Sequence, residues 1–260
     1  MAGKIKNVLR LSTAFRDALF TTDKRRRYEG QYQLLSVLTK KLGFRLYNTN
    51  LYWQNDNDYL DLWKQFQKNG ASIKDRKYVL YSMAKAVSNL PGDTVECGVF
   101  DGGGSFLICS ANACEKDDFF HHMFDSFEGL SKPTSNDIPE DPKSYVWKEG
   151  DLSVPLEIVE QNLRRFNFVK YHKGWIPDRF HEVADRKFSF VHVDVDLYQP
   201  TYDSIKFFYE RTVTGGIILC DDYGSIACPG AKQAFDELVQ EKPERSVIHL
   251  TTGQGFIIKQ

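Results

Sequence analysis

The sequence predicts an α/β fold with a doubly wound, mostly parallel sheet of seven strands. Two observations carry this prediction. The first is a set of five short apolar segments with the length and composition of buried strands, near residues 94–97, 119–124, 167–171, 188–195 and 216–220. The second is a set of helical patterns that alternate with them, near residues 105–115, 154–166, 201–212 and 230–240. This alternation is typical of a parallel sheet with helices on both faces.

The two ends of the chain differ from this core. Residues 1–70 are rich in basic and aromatic side chains, and we interpret them as an N-terminal helical extension that acts as a substrate lid. Ser72-Ile73-Lys74-Asp75 resembles a capping box and precedes a helical pattern to about Val87. At the other end, segments 246–250 and 255–258 are joined by four residues, which indicates an antiparallel pair. The predicted domains are therefore 1–70 and 71–260.

Composition narrows the classes of partner and location. The 260 residues include 34 basic and 35 acidic side chains, which gives a net charge of −1 and does not favour a nucleic-acid partner. The sequence has no apolar run long enough for a membrane span and no secretory pattern, so we expect a cytoplasmic protein. Five cysteines without CxxC spacing are expected to be reduced thiols. The long polar segment 131–150 is typical of an active-site lid or a disordered stretch.

Acidic residues follow two of the predicted strands. Asp194 and Asp196 end the fourth strand, and Asp221 and Asp222 end the fifth. The 27 residues from Asp194 to Asp221 suffice for one strand–helix–strand unit, so these ends should lie side by side on the edge where ligands bind. Carboxylates this close repel each other unless a cation, a shared proton or solvent relieves them.

A second pattern lies earlier, where the first two strands end. Gly98 and the glycines 102–104 follow the first strand, and glycines here let the backbone approach a ligand closely. Asp125 ends the second strand, where an acid binds the hydroxyls of a ribose. Each feature alone fits a tight turn or a helix cap, but together they indicate an adenosine-containing ligand. The pattern leaves open whether that ligand is NAD or S-adenosylmethionine.

At this point five motifs resemble those of the macrocin O-methyltransferase (TylF/MycF) family. They share the family's order and spacing over about residues 72–258, and they are Val95-Glu96-Cys97-Gly98-Val99, Gly102-Gly103-Gly104-Ser105, Asp125-Ser126-Phe127-Glu128-Gly129-Leu130, Asp194-Val195-Asp196-Leu197-Tyr198-Gln199-Pro200-Thr201 and Asp221-Asp222-Tyr223-Gly224. The resemblance implies a Rossmann-like class I methyltransferase fold. It also implies transfer of a methyl group from S-adenosylmethionine to a hydroxyl, with Mg²⁺ or another divalent cation.

The resemblance assigns the acids separate roles. It implies Asp194, Asp221 and Asp222 as metal ligands and Asp196 as the general base. The family commonly has Gly between the first two acids, where Val195 stands here. Purely structural roles are the alternatives: Asp196 could cap the following helix, and Asp222 could cap the turn after it. The resemblance also implies a set of cofactor-binding residues, namely Glu96, Gly98, Gly102, Ser105, Asp125, Ser126, Asp151 and Trp175.

Family members often methylate deoxysugars, so the resemblance implies a sugar acceptor such as rhamnose in a glycan or a glycosylated natural product. Phenolic acceptors and a homo-oligomer remain possible. One rival function is an NAD-dependent oxidoreductase or epimerase on the same fold, although no Tyr-x-x-x-Lys pair begins at Tyr198, because Tyr202 stands four residues later. Another is a non-catalytic binding protein, which would have no need of a costly acidic cluster.

Overall fold

The computed structural model describes residues 2–43, 53, 56–66, 74–112, 118–141 and 143–260. It divides into two compact units, residues 1–57 and 58–260. Ser72 and Ile73 of the predicted capping box, and Cys114, lie outside the described residues. The other four cysteines are buried free thiols, as expected. None of the described helices is long and apolar enough to cross a membrane.

The first unit is built on two helices, α1 (Ala2–Phe20) and α2 (Lys24–Lys41). Asp23 caps α2, because its carboxylate accepts hydrogen bonds from the backbone N–H groups of the next turn. The helices approach closely at Gly30, where a Cβ atom would lie 2.5 Å from the carbonyl oxygen of Ala14. A side chain at this position would therefore force the two helices apart.

The second unit contains α3 (Asn57–Phe66), of which only Asn57 belongs to the first unit, and α4 (Lys74–Ala86), followed by a seven-stranded sheet. The strands are β1 (Asp93–Cys97), β2 (His121–Asp125), β3 (Val169–Lys173), β4 (Phe188–Val193), β5 (Thr212–Cys220), β6 (Ile248–His249) and β7 (Gly255–Ile258). Their order is β3-β2-β1-β4-β5-β7-β6. Strands β1 to β5 are parallel, whereas β7 pairs antiparallel with both β5 and β6. The predicted fold class is confirmed.

Helices cover both faces of this sheet. They are α5 (Gly103–Ala111), α6 (Leu156–Leu163), α7 (Tyr198–Tyr209) and α8 (Pro229–Gln240). Successive strand residues point to opposite faces, so Ile218 packs with α7 and α8 while Ile217 and Leu219 pack with α4 and α5. Burial of this apolar surface on both sides makes the sheet the rigid base of the unit.

Strand β5 begins earlier than the sequence indicated. It starts at Thr212, four residues before the predicted start, because Thr212 pairs with Phe188. The register then shifts, and Gly215 takes a positive φ of 83° within the strand. A glycine at such an irregularity reads as a turn in the sequence although the strand continues through it.

Candidate active site

The turn after β1 and the chain after β4 touch each other at the carboxyl edge of the sheet. Gly98 has a φ of +81°, and a Cβ atom on it would lie 1.9 Å from the carbonyl oxygen of Asp194. The backbone N–H of Asp194 in turn donates to the Cys97 carbonyl at 2.9 Å. Only glycine fits at position 98, because both its φ and the space beside it exclude a side chain. The turn is therefore fixed against β4.

Asp125, at the end of β2, ties the second strand to the same turn. Its carboxylate accepts hydrogen bonds from the backbone N–H groups of Val99 at 2.7 Å and Phe127 at 2.6 Å. Burial raises the pKa of Asp125, and these two backbone hydrogen bonds partly oppose that shift. Asp125 thus lies where the sequence predicted an acid, beside the glycine turn.

A cleft of about 710 Å³ opens between these segments. Four of the predicted cofactor-binding residues line it, together with two of the acids after β4: Gly98, Asp125, Ser126 and Trp175, with Asp194 and Asp196. Most of its remaining wall is apolar and includes Leu130, Leu152 and Ile176. A concave, mainly apolar cleft with a few convergent polar groups is the usual form of a small-molecule site.

The other four predicted cofactor-binding residues lie outside the wall of this cleft. Glu96 and Ser105 are buried, and the Ser105 hydroxyl donates a hydrogen bond to the Glu96 carboxylate. The same hydroxyl lies 2.8 Å from a ring nitrogen of His121. A Cβ atom on Gly102, the N-cap of α5, would meet Val159 at 3.3 Å. The Asp151 carboxylate accepts hydrogen bonds from the Tyr145 hydroxyl at 2.9 Å and from the Lys148 N–H at 3.0 Å.

The acids after β4 and β5 meet as the sequence predicted, and Asp221 has the most partners among them. Its backbone N–H donates to the Val193 carbonyl at 2.9 Å, which places the ends of β4 and β5 side by side. Its carboxylate accepts hydrogen bonds from Arg76 and, at 2.6 Å, from Gln254. One ring nitrogen of His192 lies 3.4 Å from the Asp221 carboxylate, and the other lies 2.8 Å from the Glu96 carboxylate.

Asp196 and Asp222 form a second pair within the cluster. The backbone N–H of Asp196 donates to the Asp222 carboxylate at 3.2 Å. Asp196 has a φ of +59°, a left-handed conformation that costs energy for a residue with a side chain. The Cys228 thiol lies 3.5 Å from the Asp196 carboxylate and is itself 3.3 Å from the Trp147 indole nitrogen.

Burial and mutual repulsion set the charges of the cluster. Burial first, and then the neighbouring carboxylates, raise the pKa of Asp194, raise that of Asp222 well above its ordinary range, and bring that of Asp196 to about 7. Asp221 differs: burial alone would raise its pKa, but the His192 hydrogen bond and the nearby cations Lys77 and Arg76 hold it below its ordinary value. In three of the four acids, nearby cations and hydrogen bonds thus only partly offset the cost of a buried negative charge.

No sequence motif indicates Arg76, Lys77 or Gln254 as members of this site. Arg76 and Lys77 lie in the first turn of α4, and the Lys77 ammonium is 3.9 Å from the Asp194 carboxylate. Their positions in the chain precede every motif, and helical periodicity does not show which partner a charged residue meets. His192 is buried in β4 and also contacts Asp221.

The donor atoms fit a hard divalent cation. Within the described residues, two groups of possible ligands each lie within 4.8 Å of one another: His192 with Asp194 and Asp221, and Asp196 with Asp222 and Cys228. The predicted ligands Asp194, Asp221 and Asp222 are divided between these groups. All three are oxygen donors on one rim, which is the ligand type that Mg²⁺ prefers, and the raised pKa values of Asp194 and Asp222 indicate negative charge that the protein does not fully neutralise. The ligand set remains a prediction.

The sheet order, the antiparallel β7, the glycine turn and the acids after β2, β4 and β5 together define a Rossmann-like protein of the methyltransferase class. The chain matches the macrocin-O-methyltransferase (TylF) family over residues 75–248. It belongs to that family, as the motifs indicated.

Two curated relatives are similar over part of their length. The chain is 30% identical over 156 residues to demethyldecarbamoylnovobiocin O-methyltransferase of Streptomyces niveus, covering 58% of this chain and 59% of the relative. It is 30% identical over 148 residues to 8-demethyl-8-(2,3-dimethoxy-alpha-L-rhamnosyl)-tetracenomycin-C 4'-O-methyltransferase of Streptomyces olivaceus, covering 55% and 57%. The chain thus matches less than two thirds of each relative.

The solved structure of the O-methyltransferase NovP shows the same fold. It superposes with a TM-score of 0.57 at 25% sequence identity, covering 71% of this chain and 79% of NovP. This likeness agrees with the sheet order described above.

Proposed function

We propose that the protein is an S-adenosylmethionine-dependent O-methyltransferase that uses Mg²⁺ or another divalent cation to methylate a sugar hydroxyl. The observation that carries the proposal is that residues suited to bind the cofactor and residues of the acid cluster line the same cleft. Gly98 and Asp125 of the nucleotide-type turn lie on its wall together with Asp194 and Asp196 of the acid cluster. Family membership supports the same reaction class.

The cofactor would lie along the glycine turn. In this proposal the Asp125 carboxylate binds the ribose hydroxyls, Gly98 allows the backbone to approach, and Ser126 adds a polar contact. Trp175, which is 40% exposed at the cleft, packs against the adenine. The buried Glu96–Ser105 pair supports the turn from below, since Glu96 lies in β1 and Ser105 in α5.

The acid cluster would hold the cation and remove a proton. Asp194, Asp221 and Asp222 are the proposed ligands, and a divalent cation, when bound, lowers the cost of negative charge on the acceptor oxygen. Asp196 would accept the proton of the acceptor hydroxyl, and S-adenosylmethionine, when bound, would supply the methyl group from its sulfonium and leave as S-adenosylhomocysteine. Burial and the Asp194 carboxylate raise the pKa of Asp196, which makes it a stronger base than an exposed aspartate.

The acceptor we propose is a deoxysugar such as rhamnose, in a glycan or a glycosylated natural product. The name of the Streptomyces olivaceus relative, which describes a rhamnosyl group, supports this choice. The extension 1–70 and the segment 131–150 are the proposed walls of the acceptor pocket. Phenols are the alternative acceptor class.

The test is incubation of the protein with S-adenosylmethionine, Mg²⁺ and a panel of rhamnosides and phenols. We expect a rhamnoside to gain the mass of one CH₂ group, and this gain to disappear after thorough EDTA treatment and return with Mg²⁺. Full activity in EDTA would contradict the role of the cation. Calorimetry with S-adenosylhomocysteine and NAD in parallel distinguishes the oxidoreductase alternative, which requires binding of NAD.

A further inference from the structure

Two positively charged side chains reach the acid cluster from α4, a helix that lies outside the family motifs named above. Arg76 and Lys77 lie in the first turn of α4, and the side chain of each is only 22% exposed. One guanidinium nitrogen of Arg76 donates to the Asp221 carboxylate and, at 2.5 Å, to the Asp221 carbonyl. The same nitrogen is 3.6 Å from the Asp222 carboxylate.

Arg76 therefore occupies oxygens that a metal ion would need. A carboxylate lone pair that accepts an N–H cannot bind a cation at the same time, and the two positive charges repel each other. Gln254 and His192 already face the other Asp221 oxygen, so the oxygen that Arg76 holds is the one that other described side chains leave open. Lys77 differs, because its 3.9 Å distance from Asp194 is an ion pair without a hydrogen bond.

The surroundings explain why an arginine is held there. Among the described residues, the acidic side chains clustered here include Glu96, Asp194, Asp196, Asp221 and Asp222, and the side chains of Arg76, Lys77 and His192 face them. Removing the guanidinium would leave Asp221 and Asp222 facing each other without it, and a divalent cation would then gain the full benefit of both charges.

We propose that Arg76 is a built-in competitor of the divalent cation: it neutralises Asp221 and Asp222 in the metal-free protein, releases them when the cation binds, and so sets the metal affinity. This inference rests on the cation of the proposed function. It goes beyond that function in assigning to a residue outside the ligand set the control of how tightly the cation binds.

The test is calorimetric titration of the full chain with Mn²⁺ and with Mg²⁺, without cofactor or acceptor. In Arg76→Met the aliphatic stem stays and the charge is lost, so we expect the dissociation constant to fall by about tenfold or more. Arg76→Lys keeps a charge but loses the planar fork, and we expect an intermediate value. Lys85→Met, at the other end of α4 and beside Tyr81, is the matched control and should bind like the unmodified protein.

A melting experiment gives a second readout. In EDTA, Arg76→Met should melt at a lower temperature than the unmodified protein, and excess Mg²⁺ should restore more stability to the variant than to the parent. If Arg76→Met does not fold, Arg76→Lys alone decides, since unchanged or weaker metal binding in that variant overturns the proposal.

The outcomes separate the inference from the function on which it rests. If the parent and the Arg76 variants bind Mn²⁺ with the same dissociation constant, the competitor role is wrong while the metal site stands. If neither the parent nor any variant binds a divalent cation, the metal part of the proposed function is wrong and the inference falls with it.

Discussion

Asp196 combines two costly features in one residue. Its backbone is left-handed at a φ of +59°, and burial, together with the neighbouring Asp194 carboxylate, raises the pKa of its side chain to about 7. Strain and a shifted pKa in a cleft residue are typical of a functional site, because neither stabilises the fold. The Asp222 carboxylate, which accepts the Asp196 N–H, helps to hold this conformation.

At this scale we predict that Asp196→Asn lowers turnover by about 10²–10⁴-fold, the contribution of a positioned base. Asparagine tolerates the left-handed backbone, so the fold and the affinity for S-adenosylhomocysteine should not change. Steady-state kinetics and calorimetry check both parts. The control is Asp203→Asn. Asp203 lies on α7, and among the described contacts its carboxylate accepts a hydrogen bond only from Gln199. Unchanged turnover in Asp196→Asn would remove this residue as the base.

The elements show which parts of the site the sequence could predict. The 27-residue spacing from Asp194 to Asp221 is a local property of one strand–helix–strand unit, and the two ends do lie side by side. The contact of Arg76 with Asp221 joins residues 145 positions apart and depends on how α4 packs on the sheet. No periodicity encodes such a contact. The early start of β5 was not predicted either, because its two glycines resemble a turn in the sequence.

The junction of β1 with β4 supports a second prediction. In Gly98→Ala the new Cβ atom would overlap the Asp194 carbonyl, so the two strand ends must separate. We expect the free energy of unfolding to fall by more than about 3 kcal/mol and cofactor binding to be lost. Gly150→Ala is the matched control, because Gly150 has a similar φ of +85° but nothing within 4 Å of the added atom. That variant should lose only about 1–2 kcal/mol, the cost of the left-handed backbone.

Urea unfolding of the two glycine variants measures the difference. Equal losses of stability in both would mean that the backbone conformation alone matters and that the close approach of the turn to β4 does not. Normal S-adenosylhomocysteine affinity in a folded Gly98→Ala protein would contradict the proposed position of the cofactor along this turn.

At the scale of the whole molecule, the proposed function assigns cofactor binding to the second unit and a role in acceptor binding to the first. The described residues that line the cleft lie between Gly98 and Pro200, within the second unit. The sheet, the glycine turn and the acid cluster also belong to that unit. The described part of the first unit exposes large apolar side chains such as Phe20 and Leu42. Its proposed role concerns the acceptor.

We therefore predict that a fragment of residues 58–260 binds S-adenosylhomocysteine with nearly the affinity of the full chain. A saturating ligand at 100 times its dissociation constant should stabilise both proteins by about 2.7 kcal/mol, because that gain depends only on the cleft. Turnover of a sugar acceptor should fall, with the loss mainly in KM, since the proposed lid is absent. Calorimetry, melting and kinetics on both proteins check these expectations. A folded fragment that binds the cofactor product tenfold more weakly would show that the first unit helps to form the cofactor site, and unchanged KM would remove its role as the acceptor lid.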